Sequence, residues 1–542
     1  MLSGRIQVTL SRLHYAANAT APSNKLPPEL LCAVFFYLCP DAKCDWEIEQ
    51  PLPYADLLAV SRVCRHWREV AVSATELWTH IIFSLGCNMS VKEEISTARL
   101  CLRRSGVQPL NFFYIASLSP SAEELIPDSR RLKSLVYASM DNDPGEIENL
   151  SRYLLPASNL ERLEIRGNES FPLPSLFRDT APPLRELTIS RCTPWPNNRF
   201  GFLTSLNLLC QKDIDANVHS LSSALRCSPL LEELLIEREF GYNTNPSQPP
   251  PGNIPAIPLH SLKRLHICRL AAQTTRRLLE AFDLLPNGIF MRFTNVSPDL
   301  GAIFPETIAP EVSPLSATKL EFIYPSKGGV ILHATNGVVH TRLAYRYFPR
   351  RGEFSRWMKK SHGEYAFREL WFHVDRDARY ELPPPQALCD LETFVIEADP
   401  NERFNQVFFP MLSPNEDGVP LPLLSTLELR NVFGVAKFGE VLKARSDAGF
   451  RLKTLRLRWF EGCEERMAPL AQFVDRLEFY RVADRASRGL ELPEECMRRG
   501  MCWEPWSRNL VGGMEFEPPL WTHEVNKRDR MSASASLILS AY

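Results

Sequence analysis

The chain has 542 residues, 44% hydrophobic and 23% charged, with 62 basic and 64 acidic residues and a formal net charge of -2. That balance suits a globular chain long enough for more than one core and gives no reason to expect a general polyanion binder. No apolar run reaches the ~18 residues a membrane-spanning helix needs, and the 14 cysteines follow no regular framework, so free buried thiols are the expected state.

The opening segment, MLSGRIQVTLSRLHYAANAT, has no continuous apolar core, so no secretory signal is expected and residues 1–24 read as a flexible N-terminus. Residence in the cytoplasm and/or nucleus follows as an expectation. The run Lys527-Arg528-Asp529-Arg530 is too short to establish nuclear targeting.

Residues 26–38, LPPELLCAVFFYL, predict a helix. Pro27 and Pro28 suit its first turn, and Leu30, Leu31, Val34, Phe35 and Leu38 recur at spacings of three and four on one broad face. Residues 39–53 interrupt the pattern. Two further short helices follow, one through Tyr54, Leu57, Leu58 and Ser61, the other through Val63, Trp67, Val70 and Ala71, and ELWTHIIF closes the unit at 76–83. Three short helices over so few residues bury too little apolar area alone and need a partner or the next domain.

The composite Leu26-Pro27-Pro28-Glu29-Leu30-Leu31, Val34-Phe35, Leu38, Leu57-Leu58, Val60-Ser61, Val63-Cys64, Trp67, Ala71 and Leu77-Trp78 resembles the F-box of many fungal F-box proteins. The resemblance implies docking to the Skp1 adaptor and, through it, to a cullin-RING ubiquitin ligase. Carried over by position, the Skp1-binding candidates are Leu26, Pro27, Leu30, Leu31, Val34, Leu57, Val63, Cys64 and Trp67. Trp67 has a second reading, as the core of a helical hairpin. The basic run Arg62, Arg65, His66, Arg68 reads either as an aid to docking or as a solvated helix face.

Beyond this module a phrase recurs: apolar, two variable, apolar, one variable, apolar. Clear copies begin at Leu132, Leu160, Leu184, Leu203, Leu231, Leu262, Leu391, Leu424, Leu452 and Val474, and weaker ones at 107, 288, 317, 340 and 367. The alternating end of each phrase predicts a short strand with apolar positions inward. The spacing matches leucine-rich repeats, in which no single repeat buries its own apolar side and stacked repeats share a core. HSLSSALRCSPL, before Leu231, reads as a helical return. A less regular α/β domain with similar strands is the alternative.

The expected architecture is therefore α/β: a three-helix F-box at 25–83, an irregular leucine-rich repeat solenoid at 84–483, and a cap or tail at 484–542 in which Trp503, Trp506 and Trp521 cover the last repeat or face a target. Residues 241–258 and 400–420 read as looped-out insertions.

The sequence carries no phosphate loop, nucleophile elbow or zinc-protease helix motif. Cys32, Cys39 and Cys44 lack a second ligand pair at zinc spacing, so no metal and no cofactor is expected. Cys64 and His66, two apart on a helix, do not share a face, and His373 with Asp375 reads as exposed strand polarity. The expected function is non-catalytic: a substrate adaptor holding an unknown target protein near a charged ubiquitin-conjugating enzyme, with no nucleic-acid or membrane partner. The alternatives are a Skp1-binding scaffold that delivers nothing, and an enzyme of irregular α/β fold.

Overall fold

A computed structural model describes residues 2–37, 55–83, 91–116, 128–139, 150, 154, 157–171, 176–177, 182–192, 200–212, 214, 217–239, 254–284, 288–296, 303–304, 317–324, 330–345, 367–374, 380, 382–398, 402–416, 418–430, 435–458, 463–480 and 493–497. Its architecture is an N-terminal helical region followed by a large region of mixed sheet and helix. The chain divides into two compact units, one built on Met1–Lys212 and one on Asp213–Glu517.

The first unit opens with four helices: α1 (Leu2–Thr20), α2 (Pro28–Phe36), α3 (Ala55–Val63) and α4 (Arg65–Ser73). The helix α1 occupies a segment expected to be irregular. A 3-10 turn, Thr75–Trp78, then feeds β1 (His80–Phe83). After α5 (Val91–Arg104) come β2 (Leu110–Ala116), β3 (Leu132–Ser139), β4 (Arg162–Phe171), β5 (Glu186–Cys192) and β6 (Ser205–Gln211). These six strands pair in parallel, in chain order. Their register brings like residues into rows: Phe112, Leu135, Leu163, Leu187 and Leu206 form one, and Tyr114, Tyr137, Ile165, Ile189 and Leu208 the next. The first row is buried throughout. Because side chains alternate between faces, the phrase puts its second and third apolar positions on the same side of every strand.

In the second unit the strands are β7 (Glu233–Arg238), β8 (Arg264–Cys268), β9 (Phe290–Thr294), β10 (Lys319–Tyr324), β11 (Val330–Thr335), β12 (His340–Tyr345), β13 (Glu369–Val374), β14 (Thr393–Ala398), β15 (Thr426–Leu429), β16 (Leu452–Arg458) and β17 (Val474–Tyr480). Their spatial order departs from chain order once. Strand β9 pairs in parallel with β12, β12 and β11 are antiparallel, β11 and β10 are antiparallel, and β10 pairs in parallel with β13. Strand β11 has no phrase of its own. Asn336-Gly337 makes the reversal that produces it: Gly337 sits at φ +92°, and Asn336 Oδ1 accepts from the Val338 and Val339 N–H groups at 3.0 and 2.8 Å.

The strand entries repeat a local geometry. The N–H of the first phrase residue donates to the carbonyl three residues back at Leu160, Leu203, Leu231, Leu262, Leu391 and Leu424. The carbonyl of the next residue then accepts two N–H groups from the following rung. Glu161 takes Arg185 and Glu186, Glu232 takes Lys263 and Arg264, and Glu392 takes Ser425 and Thr426. At Leu259, Leu388 and Leu421 the residue three back is itself a buried leucine, extending the phrase upstream.

Helices lie between several strands of this unit. The expected return before Leu231 is α6 (Val218–Arg226), with Val218, Leu221 and Leu225 buried. Another, α7 (Ala272–Ala281), buries Leu278 and Leu279. The reading of 400–420 as a looped-out insertion is corrected: it holds α8 (Glu402–Leu412). Phe408 and Leu412, four apart, are fully buried, and the Phe408 ring meets Phe394 of β14 edge-on at 6.1 Å. Pro410, which falls in the last turn, interrupts the apolar run Val407–Leu412 and hides the stripe in the sequence. A further helix, α9 (Val435–Asp447), buries Phe438 and Leu442. Most of 241–258 and the three tryptophans at 503, 506 and 521 lie outside the described residues.

Candidate docking surface

Pro27 stands at the N-cap of α2 and Pro28 at its first position, where a missing N–H costs nothing; Glu29 adds a favourable charge to the first turn. Leu31 and Phe35, four apart, point inward and are buried. Leu57, Val60 and Ser61 of α3 and Val70 and Ala71 of α4 complete this small core. Each large apolar side chain closed in this way contributes roughly 1.5–3 kcal/mol.

Cys64 is the N-cap of α4: its Sγ accepts the Trp67 N–H at 3.4 Å. The half-buried Trp67 ring meets Phe35 at 5.3 Å between centroids, tilted 55°. Its Nε1–H is buried and, among the described residues, meets no acceptor. Trp78 anchors the far side. Its Nε1 donates to the Ala71 carbonyl at 2.7 Å, and the Arg104 guanidinium of α5 lies 4.3 Å from its ring centroid.

With the inner faces satisfied, the outer face of α2 is left apolar and exposed. Leu30 is 54% exposed and Val34 50%; Leu26, Phe36, Tyr37 and, at the end of α3, Val63 are also exposed. The nine residues assigned from the sequence therefore fall into three settings. Leu26, Pro27, Leu30, Val34 and Val63 are exposed, Cys64 and Trp67 are half-buried, and Leu31 and Leu57 belong to the core. Phe36 and Tyr37 went unnoticed as surface candidates. The signal was present, since Leu30, Val34 and Tyr37 follow a four-then-three spacing.

The basic run is mixed. Arg65 pairs with Glu69 one turn on at 2.8 Å, with both side chains mostly exposed, and Arg68 Nε donates to the Ser61 carbonyl at 2.9 Å. The exposed pair adds little to stability.

A polar cluster occupies the other face of the second unit's sheet. Glu321 of β10 is fully buried between His333 of β11 and His373 of β13, at 2.5 and 3.1 Å. His373 Nδ1 also meets Glu397 of β14 at 3.0 Å, and Glu397 meets Arg430 at 3.1 Å. Burial works to raise Glu321, but hydrogen bonds from the two histidines outweigh it and hold the carboxyl well below its usual range. Burial likewise opposes protonation of His373, yet the bonds to Glu321 and Glu397 raise it. Glu397 is lowered to about 2 because the His373 and Arg430 contacts overcome its burial. His373 is thus mostly covered and bridges two carboxylates, which corrects its reading as exposed strand polarity; Asp375 lies outside the described residues.

Burial pushes the Cys101, Cys192 and Cys268 thiols up to about 12 and so keeps them protonated. Among the described residues no group of three or more His, Cys, Asp or Glu side chains is placed to hold a metal ion. Cys39 and Cys44 lie outside those residues.

No curated protein matches the chain. A protein-family model described as F-box-like matches residues 23–84, the stretch that contains α2, α3, α4, the Trp78 anchor and the exposed apolar face. Residues 23–84 are an F-box-like domain, one small part of the chain.

Proposed function

We propose that the chain is a substrate-recognition adaptor of a Skp1-cullin-F-box ubiquitin ligase, with the F-box-like domain docking to Skp1 and the strand-rich remainder, read as a leucine-rich repeat solenoid, binding the target protein. The observation that carries this reading is the exposed apolar face of Leu30, Val34 and Tyr37 on one side of α2, with Leu26, Phe36 and Val63 also exposed, within a domain matched as F-box-like. Large apolar side chains left exposed together on one helix face mark a protein interface. The one-strand-per-phrase order of the rest supports the repeat reading, because such stacking makes an extended recognition surface. The role is positional: it raises the effective concentration of a target near the conjugating enzyme and needs no reacting group of its own.

The test is co-purification of the full chain with Skp1, wild type against Leu30→Asp/Val34→Asp. Both side chains are exposed, so thermal unfolding should be unchanged while Skp1 recovery is lost; a central contact of this kind is worth about 2 kcal/mol or more. Undiminished recovery by the folded variant, or none by the wild type when Skp1 binds a control F-box protein, overturns the reading.

A further inference from the structure

The strand register sets His373 of β13 between two carboxylates from different strands. Its Nδ1 lies 3.0 Å from Glu397 of β14 and its Nε2 3.1 Å from Glu321 of β10. The first contact is a hydrogen bond; the second is an ion-pair contact off hydrogen-bond alignment. A neutral imidazole has one N–H and one lone pair, so in either tautomer it turns a lone pair on one of the two carboxylates. Only the imidazolium presents an N–H to both. Burial opposes that charge, and the contacts with Glu321 and Glu397 outweigh it.

The two carboxylates are not equally free to leave. Glu321 is fully buried and also held by His333 of β11 at 2.5 Å, so it has no water to turn to. The Glu397 side chain is 38% exposed and continues to Arg430 at 3.1 Å. The Arg430 guanidinium also meets Glu428 of β15 at 3.3 Å and lies 4.9 Å from the Trp371 ring centroid, and that ring stacks on His373 at 6.2 Å. Among the described residues, three further elements bring charged or titratable groups to the cluster. Lys319 of β10 pairs with Glu369 of β13 at 2.9 Å, and Glu369 accepts the Trp371 Nε1–H. Arg342 of β12 is fully buried as the cross-strand neighbour of His333, and Tyr480 of β17 acts on Arg430 through space.

We propose that His373 is the proton switch of a latch: with its proton it holds Glu397, and through it Arg430, against the strand face beside Trp371, and on losing the proton it releases the Glu397 carboxylate to solvent while Glu321 stays in place. Arg430 then keeps Glu428 but loses its second carboxylate, so its hold over the Trp371 ring changes with the same proton. The device stands independently of the adaptor reading. It makes the charge presented by the β13–β15 face depend on pH.

The test follows two signals on the full chain. Histidine hydrogen–deuterium exchange read by mass spectrometry gives the titration of His373, and the fluorescence of wild type minus Trp371→Phe gives that of the Trp371 surroundings. His373 should titrate above 6.5, and the Trp371 signal should change with the same midpoint. Glu397→Gln, a volume-conserving change at a half-exposed position, should bring the His373 midpoint down by about 1 pH unit and remove the Trp371 transition. Cooperative thermal unfolding of the variants across the same pH range keeps the result attributable to the latch, and the exchange arm needs no tryptophan variant. Three outcomes overturn the proposal: a His373 midpoint at or below 6.5, a midpoint unmoved by Glu397→Gln, or a Trp371 signal that stays flat while His373 titrates. The last would mean that the proton leaves without releasing Glu397, and that the cluster is a fixed structural tie.

Discussion

At the scale of single residues, His373 shows how neighbours decide chemistry. Burial alone would lower the pKa of an imidazole this well covered, but it lies between Glu321 and Glu397, and those contacts raise it instead. A raised histidine stabilises the fold fully below its unfolded value near 6.5 and loses that contribution as pH rises through the folded value. A lowered carboxyl such as Glu397 contributes above its unfolded value near 4.5 and loses it as pH falls toward about 2. The cluster should therefore stabilise the second unit most between roughly pH 4.5 and 6.5. Denaturant unfolding measured from pH 5.5 to 8.5 should show a decline that His373→Gln removes. That variant should also cost about 3 kcal/mol at pH 6, because it breaks the buried His373–Glu321 pair and leaves that carboxylate His333 alone. Equal pH slopes in the two proteins would count against the bridge. Trp67 supplies a second residue-scale case. If its ring acts through packing on Phe35, Trp67→Ala should cost about 3 kcal/mol and Trp67→Phe under about 1.5 kcal/mol, since phenylalanine keeps much of the contact and removes a buried N–H without a described acceptor. A Trp67→Phe loss as large as that of alanine would point to a bond made by the indole N–H.

At the scale of elements, the phrase and the strand coincide. Each of the ten clear copies, and each of the five weaker ones, falls on a strand. The apolar rows are continuous because the register is constant. In the second unit Ile236, Ile267, Phe293, Leu343, Leu332, Phe322, Phe372, Ile396, Leu429, Leu457 and Phe479 form one. A gap in such a row is felt by both neighbours. Phe322→Ala should cost about 3–5 kcal/mol in chemical unfolding. The β11–β12 hairpin makes a different prediction. Gly337 has open space around its α-carbon but a left-handed backbone, so Gly337→Ala should destabilise by about 1 kcal/mol through conformation alone, read from the same unfolding curves.

At the scale of the whole molecule, the adaptor reading separates attachment from recognition. Leu30→Asp/Val34→Asp should leave target capture intact while abolishing target ubiquitination in a reconstituted reaction. Pull-down of the target and a ubiquitination assay, run on the same protein, check the two halves separately. Retained ubiquitination would mean that the exposed face of α2 is not the attachment point.

The composite from Leu26 to Trp78 and the recurring phrase were legible because both rest on local periodicity: i, i+3, i+4 on a helix and alternation on a strand decide which side chains share a face before any partner is known. The inner positions Leu31, Phe35 and Leu57 and the outer positions Leu30, Val34 and Val63 are all apolar, so hydrophobicity alone could not sort them; packing against α4 did. The turn at Asn336-Gly337 is a familiar turn dipeptide, but the strand it creates carries no copy of the phrase. The stripe of α8 was masked by Pro410, a residue that reads as a helix breaker. The His333–Glu321–His373–Glu397–Arg430 cluster has no sequence signature, since its members are 12 to 40 residues or more apart along the chain and meet through the register of five neighbouring strands, Arg430 directly following the last. Local spacing determined the helices, the strands and the apolar faces, because those depend on neighbours a few residues away. Tertiary structure alone decided which apolar residues remain exposed and which charges meet in the interior, because burial and pairing depend on neighbours that the chain supplies from far away.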